Sequence, residues 1–228
     1  FDAYYARVMA DVPLGQWFSF VKQYLPVTAA KPLADLFSGP GFMAAAARAA
    51  GFQTVAVDRH LPFLKSQTGA VCADAIDLPF TDAAFSALTA TNASLNYLAD
   101  TTALSQHLTE CYRVLDAGGV YVFDVCPYER AIALTTRVFQ AVSGISFLHE
   151  YQSDLKLLTT TVTKTQGESW QEHHRQYIFS SGEIRHASES NGFRIKTCTP
   201  NYGLPTAGIE YPVMTYVLYK PGATEPKQ

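Results

Sequence analysis

Residues 35–41 read Asp-Leu-Phe-Ser-Gly-Pro-Gly and lie where an apolar run gives way to an alanine-rich helical pattern. Glycines at a strand-to-helix turn let backbone N–H groups approach a ligand closely. The helix N-terminus behind them favours a carboxylate or phosphate. Gly39 and Gly41 are therefore candidate ligand contacts. Gly39-Pro40-Gly41-Phe42-Met43-Ala44 also fits the G-x-G-x-x-G/A spacing of dinucleotide-binding turns. A tight turn with no ligand remains the alternative on these residues alone.

Further polar residues follow at the ends of apolar runs. Asp58 closes the second run, where a carboxylate can accept both hydroxyls of a ribose. Asp74 and Ala75 close the third. A carboxylate there can take an adenine amino group, with the Ala75 N–H meeting a ring nitrogen, although Asp77 competes with Asp74 as a loop cap. Asn92 follows the fourth run and is either a pocket wall or a turn former. The six histidines show no metal spacing, so no metal site is expected. His173 and His174 are adjacent, so on a strand they point to opposite faces.

These residues need a scaffold that gathers strand ends. Residues 32–37, 53–58, 70–74, 85–91 and 120–125 read as strands. Helical patterns fall at 41–51 and 101–115, the latter with Leu104, Leu108, Cys111 and Leu115 in one stripe, and Gly118–Gly119 reads as a turn. That alternation implies an α/β fold with a parallel sheet covered on both faces. Residues 146–152, 155–165 and 169–179 are rich in aromatic and β-branched residues with no helical pattern between them, and predict an antiparallel meander. A helix at 181–190 and strands at 193–199 and 213–220 close the chain. The short connection predicts that the last strand of a seven-stranded sheet runs antiparallel to the rest. The front, 2–25, reads as helix interrupted at Pro13.

A chain of 228 residues, 48% hydrophobic and 16% charged, fits one domain with a substantial core. The formal net charge is −3 and no Lys/Arg run occurs, so no nucleic-acid partner is expected. No segment has the length of a membrane span and no signal peptide is read, so membrane association is not expected either. Phe1 in place of Met points to a natural chain that begins earlier. Cys72, Cys111, Cys126 and Cys198 form no C-x-x-C pair and read as small buried hydrophobes of a reducing, cytoplasmic compartment.

Taken with ECYRVLDAGG at 110–119, the order of these motifs resembles the class I S-adenosylmethionine (SAM)-dependent methyltransferases over 31–125. That resemblance implies a Rossmann-like sheet with SAM as cofactor and a monomer or homodimer acting on a small-molecule methyl acceptor. It implies that Asp35 helps hold the amino group of the methionine part, and that Asn92 lines that pocket. Phe37 stands where the family has its first glycine, its backbone carbonyl still able to serve. SLNYL at 94–98, FDV at 123–125 and Glu172-x-His174-x-Gln176 are similar to a bacterial subgroup that includes sugar N-methyltransferases. That subgroup carries an antiparallel lid after the fifth strand, here 146–179. Residues 1–28 would form a helical cover over the cofactor, with Tyr4 and Tyr5 either closing on it or packing in the core. His174 or Tyr5 would be the general base for a hydroxyl acceptor, an amine needing only to arrive unprotonated. A histidine tied into lid hydrogen bonds is the equal alternative for His174. Trp17 and Trp170 read as packing. An NAD(P)-linked oxidoreductase and a non-catalytic SAM-binding module are the competing readings.

Overall fold

A computed structural model describes residues 9, 12–25, 31–135, 138–141, 144–206 and 212–222, with 138–141 described as backbone. Tyr4 and Tyr5 lie outside these residues, with the rest of 1–8 and residues 10, 11 and 26–30. Helix α1 (Leu14–Lys22) begins after Pro13, the predicted interruption. The strand-helix alternation then runs β1 (Leu33–Leu36), α2 (Phe42–Ala49), β2 (Thr54–Asp58), α3 (Leu61–Leu64), β3 (Ala70–Cys72), β4 (Phe85–Ala90), α4 (Thr101–Val114) and β5 (Leu115–Val125). After α5 (Tyr128–Thr135) come β6 (Val138–Ala141), β7 (Ile145–Gln152), β8 (Leu157–Lys164) and β9 (Trp170–Tyr177). Helix α6 (Ser181–Ser190), β10 (Arg194–Pro200) and β11 (Met214–Tyr219) complete the order.

The main sheet has seven strands in the order β10-β11-β5-β4-β1-β2-β3. Only β11 runs against its neighbours, pairing antiparallel with both β5 and β10. The predicted antiparallel last strand is therefore present. Successive residues of β5 serve opposite faces, as the strand period requires. Tyr121 and Phe123 join Leu104, Leu108 and Cys111 of α4 on one side; Val120 and Val122 join Trp17, Val21, Met43 and Ala47 on the other.

Several details differ from the sequence reading. Gly118 and Gly119 form an irregularity within β5 rather than a turn before it: the register against β4 jumps from Phe85↔Leu115 to Ala87↔Val120. A Cβ at Gly119 would lie 2.8 Å from the Leu115 side chain, so the kink demands glycine. Lys220 then donates to the carbonyls of Tyr112 and Leu115 at 2.6 Å each, satisfying the C-terminus of α4.

The second sheet is antiparallel with four strands, β6-β7-β8-β9, so it starts at 138 rather than 146. The additional helix α5 packs against β7. The registers align His149, Thr160 and His174 in one row across three strands, flanked by Phe147, Val162 and Glu172 on one side and Tyr151, Leu158 and Gln176 on the other. The aromatic and polar residues that stand out in this segment therefore share one face. Among the described residues, no helix is long and apolar enough to cross a membrane, and no cluster of His, Cys, Asp and Glu could hold a metal ion.

Candidate active site

The glycine turn between β1 and α2 is held from several directions. Gly39 and Gly41 both have left-handed backbone, with φ 51° and 83°. Asp58, at the end of β2, accepts from Gly39 N at 2.7 Å and His60 N at 2.8 Å. One lone pair on each oxygen is thereby used, and the second remains for a hydroxyl. Gln67 donates to the carbonyls of Gly39 (2.7 Å) and Phe63 (3.0 Å) and lies against Gly41, where a Cβ would meet its Oε1 at 2.1 Å. The left-handed backbone at Gly41 favours glycine, and any side chain there would have to displace the Gln67 amide.

Asp35 is fully buried and turned to the scaffold. It accepts from Ala44 N in the first turn of α2 (3.1 Å) and from Thr89 Oγ1 (2.8 Å). Burial pushes its carboxyl up to about 7, against the pull of those hydrogen bonds. Phe37 takes the glycine-like conformation itself, φ 52°, at a cost of about 1–2 kcal/mol. Its ring rests 5.5 Å from that of His107, a packing contact that glycine could not make.

The loop after β3 carries Asp74 and Ala75. Asp74 is exposed and accepts from Ile76 N at 3.3 Å, while Ala75 is buried. Helix α4 fixes this loop with three side chains spaced three apart. His107 meets the Ala75 carbonyl through Nδ1 at 2.9 Å and the Tyr121 hydroxyl through Nε2 at 2.7 Å. A carbonyl can only accept, so the proton sits on Nδ1 and Tyr121 donates to Nε2. Burial pushes His107 down to about 4, which keeps this neutral tautomer. Glu110 accepts from Leu78 N at 2.8 Å, and Arg113 donates to Leu78 O (2.9 Å), Phe80 O (2.6 Å) and Glu110. Glu110 and Arg113 of the 110–119 motif thus hold the loop of the proposed adenine edge. His107, beside the predicted apolar stripe of α4, was not a sequence candidate; its sole sequence signal is a helical place one turn before Cys111.

Beyond β4, Asn92 and Ala93 are both left-handed, φ 66° and 56°. Their adjacent N–H groups converge on Asp124 at the end of β5, at 2.8 and 2.5 Å. The Tyr202 hydroxyl donates to the same carboxylate. Asp124 is fully buried, and burial pushes it up to about 6. Neither Asp124 nor Tyr202 was assigned a role from sequence, although FDV contains the first. Asn92 Nδ2 lies 3.5 Å from Met9 Sδ, so the front segment reaches this point. Met9, Phe37, Ser38, Pro40, Thr91 and Asn92 are among the residues lining a cavity of about 30 Å³. The Ser38 hydroxyl is buried without a hydrogen-bond partner among the described residues.

The SLNYL turn binds the second sheet. Asn96 donates to Tyr177 O at 2.7 Å and accepts from Cys126 N at 2.8 Å. Gln176 donates to Ala93 O at 3.3 Å, and Tyr97 Oη lies 3.1 Å from His174 Nδ1. His174 Nε2 is 3.4 Å from Glu172 Oε1. His173, on the opposite face, meets Thr161 Oγ1 at 3.0 Å. The structure thus gathers Phe37, Gly39, Gly41, Asp58 and Asn92 at the ends of the parallel strands. Asp74 and Ala75 lie on the neighbouring loop, and His174 stands on the second sheet.

Residues 34–123 match the family model of the methyltransferase domain. Over those residues the chain carries the signature of a methyltransferase domain. A SAM-dependent methyltransferase from Clostridium acetobutylicum superposes with TM-score 0.80 at 19% identity, covering 96% of this chain and 97% of that one. SAM-bound CalS10, an amino pentose methyltransferase from Micromonospora echinaspora, gives 0.72 at 16%, covering 96% and 97%. The sugar N-methyltransferase KedS8 from Streptoalloteichus gives 0.70 at 16%, covering 96% and 91%. These likenesses establish the methyltransferase fold. Among curated proteins, none matches the sequence significantly.

The residues fit SAM. The orphaned Ser38 hydroxyl and the first turn of α2 offer donors for a carboxylate, the free lone pairs of Asp58 offer acceptors for hydroxyls, and the loop at Asp74 and Ala75 offers mixed partners for a purine edge.

Proposed function

We propose that this methyltransferase acts on an N, O or C nucleophile of a small-molecule acceptor held against the second sheet. In this reading, the chain is one domain, the front segment covers the cofactor through Met9, and β6–β9 form a lid. Gly39, Gly41, Ser38, Asp58, Asp74, Ala75 and Asn92 would hold SAM, with Asp35 and Phe37 shaping the turn from behind. SAM supplies an activated methyl on a sulfonium. The chain must align the acceptor with it and exclude water.

The observation that carries this reading is the contact between two sequence-distant motifs. Glu172, His174 and Gln176 share one face of β9, and His174 and Gln176 touch the 93–97 turn, which adjoins the cavity at Ser38 and Asn92. A polar, sheltered face beside the methyl end of the cofactor suits a hydroxylated or aminated acceptor. The tautomer of His174 follows from its partners. With Nε2–H toward Glu172 the imidazole can accept from Tyr97 Oη at Nδ1, whereas the other tautomer would aim a lone pair at a carboxylate. As a base, His174 would have to release Tyr97 first. Cys111 and Cys126 are the small buried hydrophobes expected, whereas Cys72 and Cys198 are exposed; a cytoplasmic setting would keep all four as thiols.

The test incubates the protein with SAM and a cell-metabolite extract and reads products by mass. Products heavier by one methyl, absent without SAM, are expected. Bound SAM with no product from any extract would oppose the small-molecule reading.

A further inference from the structure

The carboxylate of Asp124 has no part in the cofactor contacts assigned above, yet it is fully buried and takes three donors: Asn92 N, Ala93 N and the Tyr202 hydroxyl. Two consecutive non-glycine residues in left-handed conformation are held at this point. Such a turn persists only where its surroundings determine it, and the carboxylate is the acceptor on which both N–H groups converge. Resting on the SAM and lid reading above, we propose that Asp124 is a positioning residue that couples the two halves of the site. It sets the Asn92–Ala93 turn, which carries the cofactor cavity on one side and the second sheet on the other.

The two sides of the turn are distinct. On the cofactor side, Asn92 lines the cavity with Ser38 and contacts Met9 Sδ. On the other side, the Ala93 carbonyl receives Gln176 of β9, and the same turn continues into Asn96 and Tyr97, which hold Tyr177 O and His174. A shift of the 92–93 peptide therefore moves a wall of the cofactor cavity and an anchor of β9 together. Asp124 is suited to this because both of its oxygens serve backbone donors of one rigid turn, while Tyr202, in the turn after β10, fixes the carboxylate from across the neighbouring strand β11.

Asp124→Asn keeps the shape but replaces one acceptor by a donor. Wherever the amide nitrogen sits, it faces the N–H of Asn92 or of Ala93, and one bond of the turn is lost. The experiment measures SAM affinity by calorimetry and, at saturating SAM, amide hydrogen exchange across 170–177. In the wild-type protein SAM should bind and protect 170–177. In Asp124→Asn, SAM affinity should fall about tenfold, and protection of 170–177 should be lost at saturation. Gln176→Ala should keep wild-type SAM affinity and lose only the protection. Absence of SAM binding to the wild type would overturn the cofactor reading itself. SAM binding without protection of 170–177 in the wild type would overturn the coupling alone. So would wild-type affinity in Asp124→Asn, or full protection in that variant. Should that variant fail to fold, Tyr202→Phe keeps the carboxylate and removes one donor: SAM affinity should fall by about threefold with partial loss of protection, and wild-type values would contradict the proposal.

Discussion

The glycine-loop edge and the junction with the second sheet are both built from polar groups at strand ends, but they are assembled differently. At the glycine edge, most partners are close in sequence: Gly39 and Asp58 are 19 residues apart and Asp35 reaches Ala44 across nine, although it also reaches Thr89 across 54. At the junction, Tyr97 and His174 are 77 apart, Asn96 and Tyr177 81, and Ala93 and Gln176 83. The consecutive β1-α2-β2 unit specifies most of the first, with Thr89 of β4 as a support from further along the chain. The second exists only once β5, the 92–97 turn and β9 have met. On the proposed reading the first site binds the cofactor and the second handles the acceptor, and several variants probe that division.

The largest effect is expected at Asp58. Asp58→Ala removes the proposed ribose acceptor and leaves Gly39 N and His60 N without this partner. Charge-assisted bonds of this kind are worth about 1.5–3 kcal/mol, so SAM affinity should fall about 10- to 100-fold by calorimetry. Because the carboxylate also holds the glycine turn, the melting temperature should fall with it; an unchanged SAM affinity would remove Asp58 from the site.

Arg113→Ala comes next. It frees the carbonyls of Leu78 and Phe80 and unpairs Glu110, whose carboxyl that guanidinium holds below its usual range. The Arg113 side chain is 30% exposed, so the loss should be only about 1–2 kcal/mol in denaturant unfolding, with weaker SAM binding through the loosened loop. Full stability with wild-type SAM binding would show that the clamp does not shape the adenine edge.

The dependence on pH separates the buried groups. His107, pushed down to about 4 from 6.5, stays neutral in the fold, so its contribution is present above 6.5 and is lost as pH falls through 4. Asp35 and Asp124, pushed up to about 7 and about 6 from 3.8, contribute in the opposite sense: their share is present below 3.8 and is lost as pH rises through those values. The slopes oppose one another in the wild type. His107→Gln removes the rising arm alone, so its unfolding free energy should decline more steeply than the wild type's from pH 4 to pH 7. Parallel profiles would contradict the buried neutral imidazole.

Phe37→Gly should give the smallest change. Relief of left-handed strain, about 1–2 kcal/mol, opposes the lost contact with the His107 ring and the greater freedom of glycine when unfolded. A net shift within about 1 kcal/mol is expected in chemical unfolding. A larger loss would mean that the ring contact dominates.

The same division explains what could be read from the sequence. Periodicity and caps located the strands and helices of the main sheet to within a few residues, because each element reports on itself. The antiparallel last strand followed from a short connection. Helix α5 and strand β6 were missed because residues 126–141 carry neither a clean stripe nor a sustained alternation, and α5 is a short helix lying under β7. His107, Asp124 and Tyr202 were missed for a related reason. Their polar atoms are satisfied by the Ala75 carbonyl, by the Asn92 and Ala93 amides and by one another's neighbours, partners that only the fold supplies. The E-x-H-x-Q pattern was visible, but its contact with SLNYL was not.

Paired SAM titrations of Asp58→Ala and His174→Ala, each checked for folding, test the separation of cofactor from acceptor most directly. The account predicts that Asp58→Ala loses about 10- to 100-fold in SAM affinity, whereas His174→Ala binds SAM as the wild type does and is impaired only in methyl transfer. Loss of SAM binding in His174→Ala, or its retention in Asp58→Ala, would contradict it.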